Sequence, residues 1–263
     1  MSQHYTLDIV QRAAQEQFAK QSQRYGAGHI LADVSDVVAA LEGVPLLAPS
    51  RVLDVATGAG HTGLYLASLG HEVTCADLTE PMLERVREAA AERGLRVEVR
   101  QHAAEKMPYL DASFHLVTCR IAPHHFSSAE AFVAETARVL RPGGWFLLID
   151  SSLPDGEPEA EAWIHEIEML RDPSHHRLLT PSAWTTLCEQ HGLEVKSVGM
   201  VPLKQPDLDW YFETAATPAR NRARVRGLVA EAPEAARRVF RLGEEEGKVV
   251  WWWPRLTLTA LRA

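Results

Sequence analysis

The sequence predicts an α/β fold: an open, doubly wound, mainly parallel sheet with helices on both faces. Two observations carry this prediction. Between residues 51 and 150, short apolar runs alternate with helical stretches, as in sheets built from strand–helix–strand units. The first of these runs also ends in a glycine-rich turn that leads directly into a helical stretch.

The elements follow in order. Leu7, Val10, Ala14 and Phe18 recur at helical spacing, and Ile30, Val34, Val37, Val38 and Leu41 do so after a break at Gly26–Gly28. Gly43, Pro45 and Pro49 end this region. Strands are expected at Arg51–Ala56, Glu72–Ala76, Arg96–Arg100, Phe114–Cys119 and Trp145–Asp150. The helices between them are His61–Leu69, Glu80–Arg93 and Ala129–Leu140, the last stopped by Arg141-Pro-Gly-Gly144. After Asp150 the rhythm changes. A polar, Pro-rich insertion spans 154–179 with a helix at Glu159–Leu170. A helix at Trp184–Gln190 and a strand at Leu193–Met200 follow. Residues 219–241 read as two helices split near Pro233, and the tail as two strands, Lys248–Trp253 and Arg255–Arg262, around Pro254. No internal repeat breaks the chain. One domain is therefore expected, with cap helices at 1–48, a ligand-binding core at 50–150, an insertion or lid and a helix at 151–192, and completion of the sheet at 193–263.

Composition narrows the function classes. With 46% apolar and 24% charged residues in 263, the chain can bury a sizeable core. A net charge of −8 argues against nonspecific binding to nucleic acid. The local exception is 219–241, where seven Arg face two Glu; on a helix such a pattern reads first as a solvated face. No apolar run is long enough to span a bilayer, and Met1–Tyr5 lacks a signal-peptide pattern. Three widely spaced cysteines, Cys75, Cys119 and Cys188, suggest neither a disulfide framework nor a metal site. A cytoplasmic, reduced protein is expected.

The most informative segment is Val52-Leu-Asp-Val-Ala-Thr-Gly-Ala-Gly-His-Thr-Gly63. Glycines at such a turn permit positive φ and close approach of a ligand, and the following helix offers free N–H groups. Gly58, Gly60 and Gly63 satisfy a G-x-G-x-x-G spacing, which alone is a weak signal. Asp54, four residues before Gly58, would repel a pyrophosphate but suits a ligand bearing an ammonium and a sulfonium. Asp77, at the end of the second strand, can accept hydrogen bonds from both hydroxyls of a ribose.

Here the sequence resembles motif I of class I S-adenosylmethionine-dependent methyltransferases, in the form Asp54-Val-Ala-Thr-Gly-Ala-Gly60, with Ala56 where the first glycine is usual. The resemblance continues through Asp77-Leu-Thr-Glu-Pro-Met82, His102-Ala-Ala-Glu-Lys-Met-Pro-Tyr109, Phe114-His-Leu-Val-Thr-Cys-Arg120 and Val139-Leu-Arg-Pro-Gly-Gly144. It is similar to the ubiquinone/menaquinone C-methyltransferase type. The resemblance implies a Rossmann-like, seven-stranded sheet with an antiparallel last strand, N-terminal and inserted cap helices, and S-adenosylmethionine as cofactor. It further implies that the backbone of Ala56, Thr57, Gly58 and Gly60 lines the methionine moiety, that Asp54 faces its ammonium directly or through water, and that Asp77 takes the ribose. Leu78 and Met82 would pack on the adenine, Ala104 or Glu105 would hold it, and Arg120 would contact the cofactor through its backbone. Relatives also close a tyrosine over this site, which points to Tyr25. Two departures are Ala103, where the family has an aspartate for the adenine amino group, and His115, which replaces a common aspartate.

Methyl transfer is an in-line displacement that needs no metal, so the protein must position and desolvate its reactants. Ala122-Pro-His124-His125-Phe126 follows the fourth strand on the ligand face, and either His124 or His125 could take an acceptor proton, line the pocket or serve structure. Arg171-Asp-Pro-Ser-His175 in the insertion resembles a string that covers the acceptor site in relatives, or is a surface loop. Trp251 and Trp253 share one strand face, for a pocket wall, the core or a homodimer contact. The partner expected is a small-molecule methyl acceptor. Two alternatives stay open: an S-adenosylmethionine-binding protein without methyl transfer, and an NAD(P)-dependent oxidoreductase. Against the second, no Tyr has a Lys four residues on.

Overall fold

The computed structural model describes residues 6–26 and 29–263; Met1–Tyr5, Ala27 and Gly28, to which the leader and helix-break readings refer, lie outside them. The strands β1 (Arg51–Val55), β2 (Glu72–Asp77), β3 (Glu98–Gln101), β4 (Phe114–Arg120) and β5 (Leu140–Ser151) pair in parallel. Two longer strands, β6 (Leu193–Gln205) and β8 (Lys248–Arg262), complete the sheet in the order β3-β2-β1-β4-β5-β8-β6. Only β8 runs antiparallel within this path. A short strand, β7 (Gly243–Glu245), hairpins onto β8 and was not expected.

Strand alternation decides what each face buries. Val52, Leu116, Leu147, Ile149, Val73 and Cys75 form one face of the sheet, where they pack with Leu66, Val86 and Val37. These three come from helices α3 (His61–Ser68), α4 (Glu80–Glu92) and α2 (Ser35–Leu41). Leu53, Val55, Val117, Cys119, Phe146 and Leu148 form the other face. They meet Phe132 and Val133 of α5 (Ala129–Val139) and Trp184 and Cys188 of α7 (Pro181–Gln190). Central strands buried on both faces are what a parallel sheet requires.

The order of the strands reverses beside β1, between β2 and β4. A crevice opens there above the carboxyl ends of the strands, the usual ligand position in open α/β sheets. Three segments close over it: α1 (Ile9–Gln21), whose N-cap Asp8 forms a capping box with Gln11; α6 (Pro158–Arg171); and α8 (Leu208–Thr214).

Between the last two long strands the chain forms α8, which was not expected, and then α9 (Ala219–Ala230) and α10 (Glu234–Val239), the two helices read at 219–241 on either side of Pro233. With α6 these helices build a second core around Trp163, Ile167, Phe212, Phe240, Trp251 and Trp253. Their shared apolar burial takes in Trp251 and Trp253, while Trp252, on the other strand face, lies under Lys204 Nζ. The two tail strands are one, because Pro254 interrupts nothing. It pairs with Pro202, and its carbonyl accepts from Ser152 N at 3.0 Å on the side where β5 has just ended. The arginine-rich stretch is largely neutralised: Arg222, Arg224, Arg226 and Arg238 pair with Glu213, Glu166, Asp209 and Glu157.

Helix α3 seats its first turn directly on β1 and β2, and Gly63 makes this possible. A Cβ there would stand 2.5 Å from Cys75 Sγ and 3.1 Å from Asp54 Oδ2. Gly63→Ala is expected to destabilise the fold by ~1–3 kcal/mol through overpacking. Urea denaturation should show that loss shrink when Cys75→Ala is added, as a favourable coupling in the double-mutant cycle.

Candidate active site

The turn after β1 is held from below and from the side by two carboxylates. Asp54 shares a face with Val52, so it points under α3 and is buried. Its Oδ2 accepts from Thr57 Oγ1 (2.5 Å) and Gly63 N (3.0 Å), and its Oδ1 from Thr118 Oγ1 (2.6 Å). Burial pushes its pKa up, against the pull of these donors. Asp54 therefore does not line the cavity, in contrast to the sequence expectation that it faces a ligand ammonium. Gly60 also lies off the cavity; it is the left-handed N-cap of α3 (φ 84°), packed on Val86.

Asp77 does line the cavity. Its Oδ2 accepts from Gly58 N (2.9 Å) and its Oδ1 from Thr79 N (2.8 Å), and burial above all pushes its pKa up to about 6. Around it stand Ala56, Thr57, Gly58, Leu78, Met82, Ala104, Glu105 and Tyr25, all expected from the sequence. A Cβ on Gly58 would meet nothing within 4 Å, so the turn leaves open space for a ligand against its backbone. Glu105 is already engaged, accepting from Gln11 Nε2 and from Ser127 N and Oγ. The expectation missed His61, whose Nε2 is buried at the start of α3 without a partner among the described residues. Only its place beside Gly60 could have drawn notice.

Arg120 has a role the sequence did not reveal. Its side chain donates to Leu31 O (2.8 Å) and Asp33 O (2.6 Å) and pairs with Asp36 at 2.9 Å. Asp36 also takes Arg255 Nη1 at 3.2 Å. The N-terminal segment is thus latched onto β4 and β8 as one cavity wall.

The two adjacent histidines separate cleanly. His124 donates its backbone N–H to Asp150 Oδ2 (3.1 Å), and its Nδ1 lies 2.6 Å from Asp150 Oδ1. Its Nε2 has no partner among the described residues and is open to the cavity. Burial opposes the charged ring, but the Asp150 carboxylate outweighs it and the pKa is raised. His125 Nδ1 faces Ser174 O and Oγ, and burial together with the neighbouring His124 pushes its pKa down to about 4. His125 packs edge-on against Phe18 of α1. Of the two, only His124 carries the geometry of an oriented base. The Arg171–His175 string is no surface loop: Arg171 and Asp172 line the cavity, while Ser174 and His175 are buried.

The Asp150 carboxylate makes a direct prediction. Proton NMR should find the His124 ring titrating above 6.5, and Asp150→Asn should bring that pKa down, since the burial penalty is then opposed only by the more distant Glu168 and Asp172 carboxylates. Because the folded-state pKa is raised, the stabilising contribution of this pair is complete below pH 6.5 and is lost as pH rises through the folded value.

Comparison with known proteins places this geometry. Residues 52–144 match the model of a methyltransferase domain. The chain is 32% identical over 226 residues to the uncharacterized methyltransferase YcgJ of Bacillus subtilis, covering 85% of this chain and 88% of that protein. The YcgJ crystal structure superposes with a TM-score of 0.82 at 29% identity over 88% of this chain and 99% of that one. A demethylmenaquinone methyltransferase of Thermus thermophilus is 38% identical over 109 residues, which are 41% of this chain and 50% of that protein. The Streptomyces coelicolor geranyl diphosphate C-methyltransferase shares the fold alone, with a TM-score of 0.69 at 11% identity over 98% and 100% of the two chains. These similarities favour methyl transfer over the dehydrogenase alternative. The chain belongs to the class I S-adenosylmethionine-dependent methyltransferases.

Proposed function

We propose that this enzyme binds S-adenosylmethionine along Ala56–Gly58, Asp77 and Met82 and methylates a small organic acceptor with His124 as general base. One observation carries the proposal: His124, fixed by Asp150 and open at Nε2, lines the same cavity as the glycine turn and Asp77. The donor set fits the group. Asp77 stands at the end of β2 as a carboxylate for vicinal hydroxyls, Leu78 and Met82 offer apolar surface for adenine, and Gly58 leaves its backbone uncovered.

Since Asp54 is turned away, the negative charge for the cofactor's cationic end comes from Asp172. Its Oδ1 accepts from Ser174 N and Oγ, while its Oδ2 has no partner among the described residues. Ser174 links it to His125 and so to the Phe18–Tyr25 side of the cavity. Burial opposes the Asp172 charge, but the Ser174 donors and the neighbouring Arg171 guanidinium outweigh it and lower the pKa, so the carboxylate stays ionised at neutral pH. The cofactor, held by these residues, would supply an electrophilic methyl group with a neutral thioether as its leaving group. His124 Nε2 takes the proton the acceptor must lose, and Asp150 holds the ring in the orientation that receives it. Phe18, Tyr25 and the Arg120-latched segment exclude water from the reactants.

Calorimetry tests the cofactor half. S-adenosylhomocysteine should bind in the micromolar range and NAD(P) should not bind. Asp77→Ala should weaken binding about tenfold or more, the worth of a charge-assisted hydrogen bond. Unchanged affinity in a folded Asp77→Ala variant would remove this residue from the site. With any accepted substrate, His124→Gln should lower turnover by roughly 10²–10⁴-fold, the range of general-base catalysis. Turnover in the parent enzyme should fall as pH drops and His124 takes up its proton.

A further inference from the structure

Both histidines of the turn after β4 present a free ring nitrogen to the cavity. His124 Nδ1 stands against the Asp150 carboxylate, which can only accept, so the ring proton is on Nδ1 and Nε2 carries a lone pair. His125 reaches the same state by another route. Its Nδ1 faces Ser174 O at 3.0 Å and Ser174 Oγ at 3.1 Å. The first is a carbonyl, and the second gives its hydrogen to Asp172 Oδ1 at 2.6 Å, so both accept from Nδ1–H. His125 Nε2 is therefore a second lone pair. Like His124 Nε2, it has no partner among the described residues and is open to the cavity. The two ring centres are 4.1 Å apart.

The donors beside them are taken. Arg171 gives Nε to Tyr211 O, Nη1 to Glu168 and Nη2 to Thr214 Oγ1. The Tyr211 hydroxyl goes to Glu168 as well. This corner of the cavity therefore presents acceptors: the two imidazole nitrogens, and Asp172 Oδ2, which is kept for the cofactor's cationic end. Charge points the same way. Asp77, Glu105, Glu168 and Asp172 line the cavity against Arg120, Arg171 and Arg255, and Arg120 and Arg255 are both paired with Asp36. That balance favours a ligand that is neutral or cationic.

The number of protons on the attacking atom separates the acceptor classes. A carbon nucleophile gives the two nitrogens no strong donor. A hydroxyl gives one and leaves one imidazole unmet. A primary amino group gives two, and its electron pair stays free for the methyl group. Enclosed acceptors left without a donor are costly, so the site discriminates on this count. Burial and the adjacent His124 push the His125 pKa down to about 4, so at neutral pH this ring accepts a hydrogen bond and leaves the proton itself to His124.

We propose that the methyl acceptor is a primary amine carried on a small apolar body. Its two N–H groups lie on His124 Nε2 and His125 Nε2, and its body lies against Leu178, Leu203 and Trp210, which line the same cavity. This rests on the reading of the cavity as a methyl-transfer site and specifies its substrate class. The amine's electron pair forms the bond to the methyl carbon, and the carbon–sulfur bond breaks with both its electrons left on sulfur. One N–H proton passes to His124 Nε2, so a neutral secondary amine and a neutral thioether leave.

The test uses enzyme saturated with S-adenosylhomocysteine, titrated calorimetrically at pH 8 with benzylamine, N,N-dimethylbenzylamine and benzyl alcohol. The two amines share a positive charge but differ in their N–H groups, and the alcohol carries a single O–H. Benzylamine should bind about tenfold or more tightly than either of the others, the worth of a hydrogen bond to an otherwise unmet enclosed group. His125→Phe keeps a ring against Phe18 and removes the lone pair. It should cut the preference for benzylamine over benzyl alcohol threefold or more, with S-adenosylhomocysteine affinity changed less than tenfold. The assignment is overturned if N,N-dimethylbenzylamine binds within tenfold of benzylamine, since charge alone then draws the ligand in, or if benzyl alcohol does so. It is overturned equally if His125→Phe lowers the preference less than threefold. A tenfold or greater loss of S-adenosylhomocysteine affinity in that variant would place His125 on the cofactor and also overturn it. Should His125→Phe fail to fold, the ranking of the three ligands on the parent enzyme decides the matter. Failure of S-adenosylhomocysteine to bind the parent would instead overturn the proposed function, and the acceptor assignment with it.

Discussion

A carboxylate buried in the middle of the sheet sets the geometry of the whole ligand face. Asp54 gathers Thr118 from β4, Thr57 from the turn and Gly63 from α3 onto its two oxygens. The turn and the helix that follow β1 therefore share one small polar centre with β4, 64 residues on. Burying such a group is unfavourable unless its lone pairs are met, so the arrangement is nearly all or none. A shift of α3 away from β1 would leave both the carboxylate and its donors unsatisfied in an apolar layer. The consequence reaches the cavity through Gly58, whose N–H is held by Asp77 from the side. The turn is thus clamped between two acids before any ligand arrives, which is the preorganisation a positioning enzyme needs.

The cap is fastened by different chemistry. The shared Asp36 ties the N-terminal segment to the ends of β4 and β8 through two arginines, and this is a partly solvated ion cluster, not an apolar interface. The second core, around Trp163, Phe240 and the paired tryptophans, fixes α6, α8, α9 and α10 to the sheet extension. One side of the site is held by apolar packing and the other by a polar latch.

The legible part of the molecule is the part encoded locally. Strand alternation and the turn after Val55 identified the five parallel strands and the position of the crevice, and Asp77 lines that crevice because it ends β2. The burial of Asp54 under α3 was not legible in the same alternation. Asp54 shares parity with Val52 and opposes Leu53, but only the packing of α3 over that face shows that the Val52 side is closed. The histidines could not be ranked from sequence, since Asp150 and Ser174 lie 26 and 49 residues from their ring partners. The Asp36–Arg255 contact spans 219 residues. The helix α8 was missed because its seven residues carry too few periods to rise above the surrounding loop.

The places where local preference is overruled lie where the chain leaves a strand to enter the site. Ala56 and Ile121, the residues just after β1 and β4, adopt φ of 51° and 52°. Such values are unfavourable for residues with a Cβ, and unusual for a β-branched one. Both residues line the cavity. At Ile121 the cause can be followed atom by atom. Its N–H continues the sheet by donating to Ile149 O at 2.7 Å, while Arg120, one residue earlier, is held by the latch. The chain must then turn sharply, and the left-handed step carries it into the short helical turn Pro123–His125. That turn brings the His124 N–H and ring back onto Asp150, the residue after Ile149. The position of the proposed base is therefore imposed by ladder bonding on one side and carboxylate capture on the other, against the conformational preference of Ile121.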